Sequence, residues 1–367
     1  MRRSQRVTMA LVVALMLPLV PGTASAATPP LLNWGELVPG FTPGIDTSSA
    51  NECTNGSHRC VESIIRKMNR DLRKLARTCD HNAIFQLGYT RTTEAYYESS
   101  QIPGFYDDVP WMHHYDSVFA SYYTQPQQDW TKGNVSDVAP AWREAFSAAD
   151  GQELPAVGNF LMGMNAHINR DLPFVIADIG LTDEDGNSRK PDHERVNEFL
   201  NNVADDMGPE IVARFDPTFD TNSSDDLLTG FTVAQVIQEW RERAWHNATL
   251  MTYGDPLTAE LVRQGIERGS TLLAAMIRDG MAYDDDADRD ARNAHCAEHG
   301  QDYDGFDGTY FDDDEFSLVM LEMDEPDAPD VLGISTLPLP TLSLSALRLL
   351  GINVSVDIRY GVSVTLR

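Results

Sequence analysis

Residues 154–180 read Leu-Pro-Ala-Val-Gly-Asn-Phe-Leu-Met-Gly-Met-Asn-Ala-His-Ile-Asn-Arg-Asp-Leu-Pro-Phe-Val-Ile-Ala-Asp-Ile-Gly, the most hydrophobic stretch after residue 26. A helix this apolar nearly all round has no face to give to water, so other helices must wrap it. Yet it carries Asn165, His167, Asn169, Arg170 and Asp171 in its middle. His167 and Asp171 stand four residues apart, on one helix face and one turn from each other. A buried imidazole and carboxylate need a partner, a metal ion or a shifted pKa. Pro173 lacks an N–H and crowds the carbonyl of Asn169, which predicts a kink.

The flanking sequence supplies the wrapping. Val61, Ile64, Ile65, Met68, Leu72 and Leu75 recur at helical steps, with Arg66, Lys67, Arg70, Arg73 and Lys74 on the other faces. Asp107 or Asp108 caps a further helix, Pro110 suits its first turn, and Met112, Tyr115, Phe119 and Tyr122 form its inner stripe. Pro126 marks its expected end. More helices are predicted at 137–149, 192–214, 231–253 and 257–280. The fold class is therefore all-α, a multi-helix bundle over 57–283 around the central apolar helix. Residues 27–56 form a Pro-rich lead-in, 284–340 an acidic and Pro-rich segment, and the alternating run in 341–367 a terminal β-hairpin.

Arg2, Arg3 and Arg6, the apolar run 8–20 and Ala24-Ser25-Ala26 read as a signal peptide over 1–26, so the chain is expected to be secreted, outside the cell or in its envelope. No other stretch reaches the ~18 apolar residues of a transmembrane segment. Four cysteines in an exported chain favour two disulfides, and Cys53–Cys60 with Cys79–Cys296 is the preferred pairing of the three available. With 56 acidic against 28 basic side chains the formal net charge is −28, which excludes a nucleic-acid backbone or an anionic membrane surface as the main partner. The segment 302–308 departs from the EF-hand template at Phe306 and Asp307 and reads first as a solvated loop.

His167 and Asp171 are the candidate catalytic pair, with Arg241 to steady an anionic group. As metal ligands they would be joined by His114, Asp116 and His193, a set suited to Zn²⁺ or a similar divalent ion. His113 and Asp116 share a face, while His114 points about a hundred degrees away. Such a centre would activate water for ester or phosphoester hydrolysis on a small-molecule or lipid-like substrate. Without metal, His167 is a general base oriented by Asp171. Two other readings stand beside these. One is a non-catalytic binding or envelope protein whose buried polar cluster only fixes helix register. The other is a carrier with an aromatic pocket from Tyr96, Tyr97, Trp111 and Trp245. No cofactor-binding motif is present, and the oligomeric state is left open.

Gly163-Met-Asn-Ala-His167-Ile-Asn-Arg-Asp171-Leu-Pro173 resembles the core motif of an uncharacterised bacterial family of domains of unknown function, and His114-Tyr-Asp116 and Arg241-x-x-x-Trp245 are similar to it as well. The resemblance covers roughly residues 60–282 and implies an all-helical fold with no established activity. His167 and Asp171 also resemble the helix-borne His-x-x-x-Asp pair of zinc-dependent phospholipase C and single-strand nuclease folds. That likeness ends with the two residues.

Overall fold

A computed structural model describes residues 53–54, 56–219 and 233–301, with backbone alone at 201, 205, 233–235, 352–357 and 361–366. The expected signal peptide, almost all of the lead-in and the 302–308 loop lie outside these residues.

The body is all-α. Helix α1 (His58–Arg77) buries Val61, Met68, Leu72 and Ala76 and turns its basic residues outward, with Lys74 and Arg77 in the last turn where the helix dipole favours cations. Helix α2 (Ala83–Ser99) packs on α1 and is buried along most of its length. Helix α3 (Val109–Lys132) starts where Asp108 accepts a hydrogen bond from the Trp111 backbone N–H at 3.0 Å. The expected stop at Pro126 is corrected. That proline is buried inside the helix, and its packing outweighs the missing bond until Gly133, at φ 81°, ends the element. Then follow α4 (Pro140–Asp150), α5 (Ala156–Met164), α6 (Leu172–Ile179), α7 (Lys190–Arg195), α8 (Leu200–Arg214), α9 (Val233–Tyr253) and α10 (Pro256–Met281).

Between α5 and α6 the backbone from Asn165 to Asp171 is π-helical, and the Leu172 N–H reaches back to the His167 carbonyl. Where a kink is predicted at Pro173, the structure has a widened turn that ends two residues before it. The run 156–179 is central as expected: its segments pack against α2, α3, α4, α9 and α10. One core cluster gathers around Phe85, Tyr123, Trp142 and Phe146. A second gathers around Phe105, Tyr115, Phe199 and Trp245. Phe119 and Ile168 border both.

Close approach along this run needs glycine at one position. A Cβ on Gly163 would lie inside contact distance of the Phe85 ring and 2.7 Å from Phe85 Cβ. Gly163→Ala is expected to cost about 2 kcal/mol by overpacking. Urea unfolding measures it, and a loss below about 0.5 kcal/mol would show that Phe85 swings aside freely.

The expected acidic segment begins differently. Asp285 accepts from the backbone N–H groups of Ala287 and Asp288 at 2.9 and 3.3 Å and opens a further helix, α11 (Asp286–His299). Acidic residues in a first turn suit the positive end of a helix, so the Asp run is a helix start rather than the start of a solvated tail. Both preferred disulfides are present. Cys53–Cys60 braces the entry to α1, and Cys79–Cys296 ties the turn after α1 to α11 across 217 residues. They suit an oxidising extracellular or envelope location. No helix among the described residues is long and apolar enough to cross a membrane.

The backbone segments Ile352–Asp357 and Gly361–Leu366 stand in antiparallel register. Their side chains and their place against the helices are not described, so the terminal hairpin stays an expectation and the fold shown is all-α.

Candidate functional site

The π-helical turn gathers the polar residues of the central helix into a closed network. His167 is 2% and Asp171 0% exposed. Asp171 Oδ2 accepts from Trp142 Nε1 at 2.7 Å and faces His167 Nδ1 at 3.3 Å, while its Oδ1 accepts from Arg170 at 2.8 Å. Arg170 also donates twice to Glu267 Oε1, at 3.0 and 2.6 Å. Asn165 donates to the Ser270 carbonyl at 2.7 Å, tying the turn to α10. Burial lowers the His167 pKa against the opposing pull of Asp171, so the ring is neutral. Its Nδ1–H then donates to Asp171 and leaves Nε2, which has no partner, as an acceptor. The ring lies flat on Phe119, with centroids 3.6 Å apart, and edge-on to Tyr89 at 4.4 Å.

His167 and Asp171 are thus brought together as their spacing predicts. The pair is buried, polar groups from α4 and α10 converge on the turn that carries it, and His167 is not among the residues lining the recess described next. His167 and Asp171 belong to this junction, Asp116 lines a separate recess, His193 sits under Arg241, and His114 is partly exposed and outside the lining. Among the described residues no group of three His, Cys, Asp or Glu is placed to hold an ion.

The recess that receives Asp116 also receives Arg241. It lies between α2, α3 and α9, encloses about 410 Å³ with the solvent at its mouth included, and is lined by Tyr89, Tyr96, Tyr115 and Phe119 beside those two charged residues. Asp116 comes inward because it sits three residues after His113 and one turn before Phe119–Ala120 on the buried side of α3. Its Oδ2 is buried without a hydrogen-bond partner, and desolvation pushes its carboxyl up to about 8. The Tyr89 hydroxyl is likewise buried and unpartnered.

Arg241 is held at a fixed angle. Its Nε donates to Asn197 Oδ1 at 2.9 Å, and one terminal nitrogen donates to the His193 carbonyl. His193 in turn faces the Tyr115 hydroxyl at 2.8 Å and packs on Trp245, with centroids 5.1 Å apart. The pairs His193/Asn197 and Arg241/Trp245 picked out by spacing therefore form one bracket. Burial lowers the Arg241 pKa, yet the group remains a cation at neutral pH. Among the described residues it makes no ion pair with a carboxylate, Asp116 included. An acid and a guanidinium thus line one cavity without neutralising each other.

Of the aromatic residues expected in a carrier pocket, Tyr96 lines the recess, whereas the Tyr97 hydroxyl donates to Glu62 at 2.8 Å. Sequence reasoning missed Glu267 and Trp142, whose contacts with the central turn span 97 and 29 residues and leave no local trace. Tyr89 was missed too, although a tyrosine in a helix as thoroughly buried as α2 is itself a signal.

No curated protein and no solved structure matches the chain. One family model does, and its matched span runs from α1 into α10, enclosing both the π-helical junction and the recess. The chain belongs to DUF5995, a family of unknown function, over residues 61–280.

Proposed function

We propose that the protein is an exported binder of a small organic carboxylate, with Arg241 as its anchor and Asp116 as a proton-carrying second contact. The observation that carries this reading is the pair of unneutralised groups in one recess. A neutral Asp116 donates a hydrogen bond, and the guanidinium fork matches a planar carboxylate. The aromatic lining takes the apolar body of the ligand, which fits the small-molecule or lipid-like class expected from sequence. Export follows from the expected signal peptide together with the two disulfides.

A second reading extends the first. An acid with a pKa near 8 is matched to proton transfer at neutral pH, so the same recess would serve hydrolysis of an ester of such a carboxylate. The ionised form of Asp116 would take a proton from the attacking water and return it to the departing alkoxide as the acyl–oxygen bond breaks, without routing through His167.

Isothermal titration with benzoate and hexanoate at pH 6.5 tests the proposal. Binding is expected to the wild type and to weaken at least about tenfold in Arg241→Gln. The wild type should also lose affinity between pH 7 and 9 as Asp116 ionises beside the bound anion, and Asp116→Asn should not. Equal heats for wild type and Arg241→Gln, or no binding of either acid, would contradict it.

A further inference from the structure

A hydrogen-bonded chain leads away from the recess wall. The Tyr96 hydroxyl lies 2.6 Å from His113 Nδ1, and His113 Nε2 lies 3.2 Å from His58 Nδ1. Tyr96 lines the recess, His113 is fully buried, and His58 in the first turn of α1 is partly exposed. We propose that Tyr96, His113 and His58 form a proton relay between solvent and the recess. It rests on Asp116 being the group in that recess that takes up and gives off a proton.

The chain of three has two equivalent directions. In one, Tyr96 O–H donates to His113 Nδ1 and His113 Nε2–H donates to His58 Nδ1. In the other, His58 Nδ1–H donates to His113 Nε2, and His113 Nδ1–H donates to Tyr96, whose own proton faces the recess. Passing from the second to the first delivers one proton inward. Tyr96 releases its proton to the recess and takes one from His113, which takes one from His58, which takes one from water at Nε2. Every group gives one proton and receives one, and none is left charged. Release of a proton from the recess runs the same hand-over outward to water and restores the starting direction.

The surroundings favour this neutral hand-over. Burial, with His58 adding to it, holds the His113 pKa down to about 4, so the ring carries a lone pair at neutral pH. From α2, the Tyr97 hydroxyl is tied to Glu62 and the Ser99 hydroxyl to Tyr106. Asp116 on α3 and Asp192 on α7 are the carboxylates that act on the Tyr96 hydroxyl. None of these groups bridges or interrupts the chain in the structure. Tyr96, the inner end of the relay, lines the same recess as Asp116.

The test is the rate at which the Asp116 carboxyl exchanges its proton, read from carboxyl ¹³C NMR line shapes near its titration midpoint. In His58→Ala, a change at a partly exposed position, exchange is expected to slow by about tenfold or more, with the midpoint unmoved. Added imidazole should restore the rate, because it can take the vacated place. Tyr96→Phe should slow exchange similarly and resist rescue. Unchanged rates in both variants, or slowing that imidazole leaves untouched in His58→Ala, would overturn the relay. A midpoint near 4 in the wild type would instead overturn the reading of Asp116, and the relay would then be judged by the same rates at that midpoint.

Discussion

Replacing Asp171 by Ala is expected to destabilise the protein by about 3–5 kcal/mol, the cost of breaking a buried charge network by removing one partner. The carboxylate receives Trp142 Nε1, Arg170 and the His167 ring, and all three are buried. Its loss strands the indole N–H and the imidazole N–H outright and takes from Arg170 one of its two carboxylate partners. The π-helical turn would lose the side chain that fixes its far end, so the contacts of α10 with Asn165 and Arg170 weaken in the same step. Asp171→Asn is expected to do less damage, since one amide oxygen still accepts while the charge facing Arg170 is gone. Urea unfolding measures both. A loss under about 1 kcal/mol for Asp171→Ala would show that the network is not what holds the junction.

Asp116→Asn is expected to stabilise the protein above neutral pH, an uncommon result for a substitution at a recess. The folded pKa of Asp116 lies near 8, above the ordinary carboxylate value of 3.8. Between these two values the native state holds a proton that the unfolded chain has released. Stability therefore falls as pH rises through that window and levels off above it. The whole shift would correspond to about 6 kcal/mol. Asp116 keeps partial access to the recess, which screens the charge, so about 3 kcal/mol is the expected size. The asparagine lacks this slope, so the two proteins should match near or below about pH 3.8 and separate by about 3 kcal/mol at pH 9. Depressed histidines such as His113 and His167 add an opposite slope at low pH, but it is common to both proteins and cancels in the difference. Parallel stability curves across the range would refute the neutral carboxyl.

Much of the fold could be read from the sequence because its information is local. Periodic apolar residues marked α1 and α3, Asp108 marked a cap, and the Leu154–Gly180 stretch could only be a buried centre. The misreadings came where tertiary contacts override local preference. Pro126 continues a helix because its surroundings bury it. The site was legible in its residue types but not in its grouping. Spacing placed His167 beside Asp171 and Asp116 beside His113, each within one turn. It carried no information on which helix face meets which. Thus Asp116 and Arg241, on helices far apart in sequence, share the recess, while His167 and Asp171 close a structural junction.

The direct test of the account is the titration of the Asp116 carboxyl carbon in protein labelled with ¹³C-aspartate, assigned by its absence in Asp116→Asn. The account predicts a midpoint near 8 in the free protein and a rise when benzoate fills the recess, since a bound anion holds the proton on. A midpoint near 4 that benzoate leaves unmoved would contradict it.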